Sequence, residues 1–354
     1  MTLRQTADIT ATEVTAKSVA LVLGATGGIG GSVARRLVAA GWHVRALHRK
    51  AATVAATQPA FDWVNGDAMN ADDVLAASKG ASLIVHAVNP PGYRDWEKLV
   101  LPMIDNTIAA AKACGARILL PGTVYNYGPD AFPCLCEDSP QNPVTRKGAI
   151  RVEMEHRLSR AAEEGVPVLI VRAGDFFGPD AGSSWFSQGL VKPGKPVTSI
   201  TRPAARGIGH QWAYLPDVAD TMVRLIAQAE QLPMFAVFQM EGVWDGDGEQ
   251  LIGAIATVTG AKPRQRRFPW WLVRLASPVV PLFRELHEMR YLWRNPVRMS
   301  NQKLRDFLGF EPHTPLDTAI RETLISLGCL ERPAGKGRAS KELTAVDQPI
   351  GNRA

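Results

Sequence analysis

Residues 21–30 read "LVLGATGGIG", an apolar run that leads directly into three glycines at positions 24, 27 and 30. The residues that follow, "GSVARRLVAAG", carry apolar side chains at helical spacing. A buried strand, a glycine turn and a helix in this order let the backbone approach a pyrophosphate at the N-terminus of the helix. Glycines also mark ordinary turns, so the glycines alone do not predict a dinucleotide site. The prediction depends on the position of this turn at the first strand–helix junction. The expected contacts there are Gly24, Thr26, Gly27, Gly28, Ile29 and Gly30.

The alternation of strand and helix patterns continues beyond this turn. Apolar strand patterns such as "HVRALHR", "ASLIVHAV" and "VPVLIVRAG" are separated by helical patterns, of which "WEKLVLPMIDNTIAAAKACG" is the longest. This order predicts an α/β fold, a Rossmann-type doubly wound parallel sheet with a smaller C-terminal substrate lobe. The predicted organisation is a flexible lead over 1–17, an NAD(P)-binding domain over 18–180, a substrate-binding lobe with chain returns to the core over 181–333, and a disordered tail over 334–354.

The end of the second predicted strand indicates which cofactor is bound. A carboxylate there would hold the ribose 2′-hydroxyl of NAD, but the sequence reads His48, Arg49, Lys50. Cations suit a 2′-phosphate, which favours NADP over NAD and places His48 and Arg49 at the cofactor. The alternative is a solvated loop. Asp67, after the third strand, either accepts hydrogen bonds near the adenine or caps the next helix.

Composition and charge exclude several classes of protein. The formal net charge is +6, but no basic platform interleaved with aromatic residues is present, so nucleic acid is not an expected partner. No uncharged apolar run reaches about 18 residues, and the N-terminus lacks the apolar core of a secretory signal. The four cysteines form neither a disulfide framework nor a metal site, so no metal is expected and the expected location is the cytoplasm.

Several motifs, in order from about Ser18 to Gly328, resemble the extended or atypical branch of the short-chain dehydrogenase/reductase superfamily, the NAD-dependent epimerase/dehydratase group. "GATGGIG" is similar to the family's glycine motif, "VNGDAMN" to its adenine-contacting turn, and "LIVHAV" to its strand beneath the nicotinamide ribose. The last likeness implies cofactor contacts at His86 and Ala87. Further matches are Asn106 in the fourth helix, "PGTVYNYG", "VRAGDFFGP", "WAYLPDVAD" with Asp217, and "LRDFLGFEP".

The stretch "KGAIRVEME", residues 147–155, departs from the family pattern. Lys147 stands where the family has its catalytic tyrosine, and Arg151 stands where it has the lysine. Lys147 could donate a proton if burial and the nearby Arg151 lower its pKa, and Arg151 could hold the nicotinamide ribose. Both residues could instead form a solvated or phosphate-contacting face.

The resemblance also places Thr123 at the position of the family's catalytic serine. Tyr125 is the rival proton donor, with a packed aromatic as its alternative role. Tyr127 matches a family tyrosine that is usually structural.

The segment 268–293, "FPWWLVRLASPVVPLFRELHEMRYLW", is rich in tryptophan and aliphatic residues. It predicts either a helical cap over a cleft for a hydrophobic substrate or a peripheral membrane contact. The expected partner is a small-molecule substrate, and a homodimer is left open.

Taken together, the sequence predicts an NADP-dependent oxidoreductase that acts on a carbonyl, alcohol or related group of a hydrophobic small molecule. Two alternatives remain. One is an epimerase or dehydratase that oxidises its substrate transiently, and the other is a catalytically silent NADP-binding sensor.

Overall fold

The computed structural model describes residues 18–90, 96–182 and 184–332. The predicted flexible lead over 1–17 and disordered tail over 334–354 lie outside the described residues. The first part of the chain contains, in order, β1 (Val19–Leu23), α1 (Gly28–Ala39), β2 (His43–His48), α2 (Ala51–Ala55), β3 (Asp62–Asn65), α3 (Ala71–Ser78), β4 (Ala81–His86), α4 (Trp96–Cys114), β5 (Arg117–Gly122), β6 (Cys134–Leu135), α5 (Arg146–Glu163) and β7 (Val168–Arg172).

The second part of the chain has shorter strands and more irregular connections. It contains, in order, β8 (Asp175–Phe177), β9 (Ser199–Arg202), β10 (His210–Tyr214), α6 (Leu215–Ile226), β11 (Phe235–Gln239), β12 (Val243–Asp245), α7 (Gln250–Thr259), β13 (Arg264–Arg267), α8 (Trp270–Ala276), α9 (Pro281–Glu288), a 3₁₀ helix (Met289–Trp293), β14 (Arg298–Met299), α10 (Gln302–Leu308) and α11 (Leu316–Ser326).

One seven-stranded sheet forms the centre of the fold. Its strand order is β3-β2-β1-β4-β5-β7-β11, and every neighbouring pair is parallel. The predicted α/β class with a Rossmann-type parallel sheet is therefore confirmed. The outermost strand, β11, comes from the second part of the chain and returns to the sheet beside β7.

Both faces of the sheet are covered by helices, because successive side chains of a strand point to opposite faces. In β1, Ala20 and Val22 pack into the apolar cluster that includes α1 and α6. Leu21 and Leu23 pack into the cluster on the other face, with α3, α4 and α5. Burial on both faces is the reason that these strands read as continuous apolar runs.

The carboxyl ends of the central strands lie at one level along one edge of the sheet. Leu23, the last residue of β1, is the register partner of Leu47 in β2 and of His86 in β4. The strand order reverses between β1 and β4, which makes this edge the topological switch point where ligands of open α/β sheets bind. The glycine turn and the residues after β2, β4 and β5 all lie on this edge.

The smaller sheets belong to the C-terminal lobe and its contacts. The strands β12, β10 and β8 form a three-stranded sheet, and β13 pairs with β9 and β14 with β6. Asp217, at the start of α6, accepts hydrogen bonds from the backbone N–H and the hydroxyl of Thr314 at 2.7 and 2.6 Å. In the described ranges, no helix is both long and apolar enough to span a bilayer.

Candidate dinucleotide and catalytic site

The glycine turn forms a tight cradle that side chains would fill. Gly24 has φ +92°, and a Cβ there would lie 2.5 Å from the carbonyl oxygen of Ala87, after β4. A Cβ on Gly30 would lie 2.2 Å from the carbonyl oxygen of Gly24. Helix α1 begins after Gly27, which has no capping side chain, and its first turn carries no acidic residue. The N–H groups and positive dipole end of α1 therefore suit a pyrophosphate.

The other predicted contacts of the turn differ in exposure. Thr26 is exposed, whereas Gly28 and Ile29 are half-buried, and Ile29 packs against the core beneath α1. Ala87 joins the two loops, because its N–H donates to the carbonyl oxygen of Leu23 at 2.9 Å. The structure thus brings the six turn residues and Ala87 to one place.

The turn after β2 presents cations to solvent. His48 packs edge-on against Trp63, and its Nδ1 accepts a hydrogen bond from the backbone N–H of Lys50 at 3.0 Å. Arg49 and Lys50 are exposed, and neither forms an ion pair within the part of the chain that the structure describes. His48 therefore shapes the turn, and the two following cations can reach a ligand.

Asp67 lies at the same edge, after β3. One of its carboxylate oxygens accepts a hydrogen bond from the N–H of Met69 at 3.0 Å. The alternative prediction that Asp67 caps the next helix is wrong, because the side chain of Asn70 caps α3. The amide of Asn106 in α4 donates to the carbonyl oxygen of Ala68 at 2.9 Å and fixes this turn against α4.

His86, the last residue of β4, is a buried neutral imidazole. Its Nδ1 lies 2.8 Å from the hydroxyl of Thr107, which itself donates to the carbonyl oxygen of Met103. The hydroxyl proton is thus used, so His86 Nδ1–H is the donor and Nε2 keeps its lone pair. Burial, with a smaller effect from Arg151, lowers the pKa of His86 to about 3.

Helix α5 meets the residues after β5 through its first turn. Thr145 caps α5 by accepting a hydrogen bond from the N–H of Gly148 at 3.0 Å. A Cβ on Gly148 would lie 2.3 Å from the carbonyl oxygen of Tyr125, so glycine permits this close approach. Thr123 and Tyr125 are half-buried, and the hydroxyl of Thr123 accepts from the Tyr125 N–H at 2.8 Å.

Lys147 is buried beside this contact, with only 2% of its side chain exposed. Its ammonium lies 2.8 Å from a carboxylate oxygen of Glu285 in α9. Burial lowers the pKa of Lys147, while Glu285 and then Glu288 act in the opposite direction. The contribution of Arg151 to this pKa stays a prediction. Arg151 lowers the pKa of His86, and its guanidinium lies over the Trp96 ring, 5.2 Å from the centroid.

Tyr127 belongs to a buried polar network rather than to the cleft. Its hydroxyl accepts hydrogen bonds from Arg172 at 2.6 Å and from Gln239 at 2.9 Å. Arg172 also forms a buried ion pair with Glu155, with a nitrogen–oxygen distance of 2.5 Å. Burial raises the pKa of Tyr127 to about 12, which keeps the phenol protonated.

Two further groups were not foreseen from the sequence. One is Glu285, the partner of Lys147. The other surrounds His210, which hydrogen-bonds Asp175 at 2.7 Å and stacks on Trp293 with 3.7 Å between ring centroids. These rings line a small cavity of about 30 Å³ in the C-terminal lobe. No group of three or more potential metal ligands occurs among the described residues.

Known proteins share the fold and part of the sequence. Residues 24–182 match the family model described as NAD(P)H-binding. The chain is 31% identical over 172 residues to dTDP-6-deoxy-L-talose 4-dehydrogenase (NAD(P)(+)) of Kitasatospora kifunensis. That match covers 46% of this chain and 54% of the relative, so it spans about half of the relative's length.

Two solved structures show the likeness of fold over most of the chain. UDP-glucuronic acid 4-epimerase from Bacillus cereus, in complex with NAD, has a TM-score of 0.68 at 14% identity, covering 87% of this chain and 96% of that one. MoeE5 in complex with UDP-glucose and NAD has a TM-score of 0.66 at 17% identity, covering 87% and 98%. The NAD(P)H-binding match and the fold shared with these two enzymes confirm the predicted resemblance in its NAD(P)-binding part and in its fold.

Proposed function

We propose that this protein is an NADP-dependent oxidoreductase that acts on a carbonyl or alcohol group of a hydrophobic small molecule. The observation that carries the proposal is the position of Lys147. This buried ammonium lies where α5 meets the loop after β5, on the edge of the sheet that also carries the glycine cradle. A dinucleotide and a proton donor are the two components that a carbonyl reduction requires.

The residues of this edge fit a dinucleotide that carries a 2′-phosphate. The cradle of Gly24, Gly27 and Gly30 holds the pyrophosphate, and Asp67 lies at the adenine turn. No carboxylate follows β2 to bind a 2′-hydroxyl, whereas the exposed guanidinium of Arg49 can bind a phosphate through two parallel hydrogen bonds. His86 and Ala87 line the floor of the crevice, and Arg151 holds the nicotinamide ribose.

The bound cofactor supplies or accepts a hydride, and the protein must handle the matching proton. In the reducing direction, the carbonyl carbon gains the hydride and the carbonyl oxygen gains a proton from the Lys147 ammonium. Glu285 orients this ammonium and raises its pKa against the effect of burial. The Thr123 hydroxyl has accepted the Tyr125 N–H, so its own O–H is left to donate to the substrate oxygen.

The lobe favours an apolar substrate. The cavity beside His210 is lined largely by Leu190, Ile200, Trp212, Leu251, Ile252 and Trp293. Trp293 ends the 3₁₀ helix that directly follows α9, so one segment contributes both to this cavity and to the ion pair with Lys147. The largely apolar lining with a few polar groups favours a hydrophobic ligand, for which the cavity must widen.

The cofactor is tested by titrating the protein with NADPH and NADH. Arg49→Ala removes one charge-assisted contact, which costs about 1.5–3 kcal/mol. The variant should therefore bind NADPH roughly tenfold or more weakly and NADH almost unchanged. Lys112→Ala removes a cation at the far end of α4 and serves as the control. Equal affinities of the unmutated protein for the two cofactors would refute the NADP assignment.

The reaction class is tested by following NADPH absorbance with a panel of aldehydes and ketones of increasing apolar chain length. Steady consumption that improves with apolar length supports the proposal. An epimerase or dehydratase would convert its substrate without net consumption. Tight NADPH binding without turnover on any member of the panel would indicate a sensor.

A further inference from the structure

An apolar surface is concentrated at the corner between α8 and α9. Trp271, Leu272, Leu275, Val279 and Val280 are five of the ten large hydrophobic residues that are exposed in the described part of the chain. Their exposed fractions reach 71% at Trp271, 72% at Leu275 and 80% at Val279. The residues Trp271 and Leu275 lie one helical turn apart on α8, and Leu272 is three residues from Leu275. We refer to these five residues as the corner patch.

The opposite side of α8 already has its packing partners. Val273 is buried, and the indole N–H of Trp270 donates to the carbonyl oxygen of Pro203 at 2.7 Å. Trp270 also packs against Phe268, with 4.7 Å between ring centroids. The turn after α8 is held by hydrogen bonds from the N–H groups of Val279 and Val280 to the carbonyl oxygen of Ala276. The corner patch is thus presented outward on an anchored support rather than on a loose loop.

Cations that form no ion pair with described residues flank the corner patch in the sequence. Residues 250–284 contain no aspartate or glutamate, and they contain six cations, which equal the formal net charge of the whole chain. None of these cations forms an ion pair with another described residue, and all six are exposed. They are Lys262, Arg264, Arg266, Arg267, Arg274 and Arg284.

We propose that the corner patch and its six cations form a docking surface for an anionic phospholipid membrane. Tryptophan and leucine side chains enter the boundary between headgroups and acyl chains, and arginines attract the lipid phosphates. A charged polynucleotide would gain nothing from an aliphatic centre. A segment that carries six cations and no carboxylate, residues 250–284, suits a surface of continuous negative charge. This inference does not depend on the reaction that the protein catalyses.

The test uses full-length protein and co-sedimentation with two kinds of vesicles. One kind is pure phosphatidylcholine and the other also contains phosphatidylglycerol. We expect binding to the anionic vesicles only, weakened by added salt because the cations contribute through screened attraction. Absence of binding, or equal binding to both kinds of vesicles, would overturn the proposal.

Two double variants separate the apolar and the charged contributions. Trp271→Ser with Leu275→Ser should weaken binding to anionic vesicles roughly tenfold or more, since both side chains lose their burial in the lipid. Arg266→Gln with Arg267→Gln should weaken it roughly 30-fold, at about fivefold for each cation. All four side chains are exposed, so the thermal unfolding midpoints should stay close to that of the unmutated protein.

Matched controls alter similar residues elsewhere. Met234→Ser with Phe310→Ser removes exposed apolar side chains away from the corner patch. Arg305→Gln with Arg321→Gln removes two cations of α10 and α11. Both double variants should keep vesicle binding. Sedimentation velocity without lipid tests the remaining candidate partner of the corner patch, a second copy of this chain. A dimer that the Trp271→Ser, Leu275→Ser variant converts to a monomer, without vesicle binding by the unmutated protein, would assign the corner patch to self-association and overturn the proposal.

Discussion

Lys147 is the proton donor of the proposed reaction, and its burial beside Glu285 suits that role. Lys147→Met removes the ammonium while keeping an unbranched side chain. Because a positioned proton donor contributes about 10²–10⁴-fold to rate, we expect turnover with NADPH to fall about 100-fold or more while NADPH affinity changes little. Tyr125→Phe, which removes only a hydroxyl, should keep most of the turnover. The opposite pattern in steady-state kinetics would make Tyr125 the donor.

Glu285→Gln gives an independent check on Lys147, because it leaves the ammonium in place. Glu285 raises the pKa of Lys147 against the effect of burial, so removing the carboxylate lowers that pKa further. If the charged ammonium is the donor, the alkaline limb of the turnover–pH profile moves to lower pH. A profile that stays in place would show that Lys147 does not control the rate.

We expect the buried His86 to make the free energy of unfolding sensitive to acid. The pKa of His86 is about 3 in the folded protein and 6.5 in its ordinary state. Between these values the unfolded chain binds a proton that the folded chain does not, so the free energy of unfolding decreases as the pH falls. In His86→Gln this decrease should be shallower by up to about 1.4 kcal/mol per pH unit. Urea unfolding across that pH window measures it, and equal slopes would contradict a buried neutral imidazole.

Some residues of the candidate site could be expected at one edge of the sheet from the sequence and others could not, for a physical reason. The glycine turn, Arg49, His86 and Thr123 follow strand patterns, and parallel strands bring their carboxyl ends to one edge. Glu285 follows no such pattern. It reaches Lys147 from an element 138 residues away, and only the packing of α9 on α5 brings the two charges together.

Among the helices, α1 approaches the glycine turn so closely that Gly30 has no room for a side chain. Gly253 in α7 has that room. Gly30→Ala would place a Cβ against backbone atoms of Gly24, so we expect loss of stability by about 1–3 kcal/mol and weaker dinucleotide binding. Gly253 lies inside α7 with no heavy atom within 4 Å of its Cβ position. Gly253→Ala should therefore stabilise the fold by about 0.5–1 kcal/mol and leave binding unchanged. Urea unfolding and NADPH titration of both variants check the contrast.

Long elements with clear periodicity were predicted well, and short ones were not. The core strands and α1, α3, α4 and α5 follow apolar patterns that persist over several residues. Helix α2 has only five residues, and its sequence "AATVA" lacks an amphipathic pattern. In the C-terminal lobe, strands of two to five residues depend on partners far along the chain, such as β6 with β14. Their positions could not be read from local sequence.

At the scale of the whole molecule, the hydroxyl of Tyr127 connects two strands of the central sheet. It accepts one donor from Arg172 in β7 and one from Gln239 in β11. Tyr127→Phe would leave both donors buried without this acceptor, at a cost of about 1–3 kcal/mol each. Tyr291→Phe removes only one neutral donor to a carbonyl oxygen and should cost about 1 kcal/mol. Chemical unfolding that ranks the two variants in the reverse order would contradict this role of Tyr127.

The return of β11 to the sheet has a consequence for the nascent chain. When the ribosome has made residues up to Arg172, the strand β7 is complete, but its outer neighbour Phe235–Gln239 has not yet been synthesised. All five residues of β7 are buried in the finished protein, so its open edge is an apolar template for pairing with another chain. The stretch that matches the NAD(P)H-binding family model ends at residue 182, before β11. A polypeptide released at that point would be prone to aggregate, and productive folding must wait until the lobe has been translated.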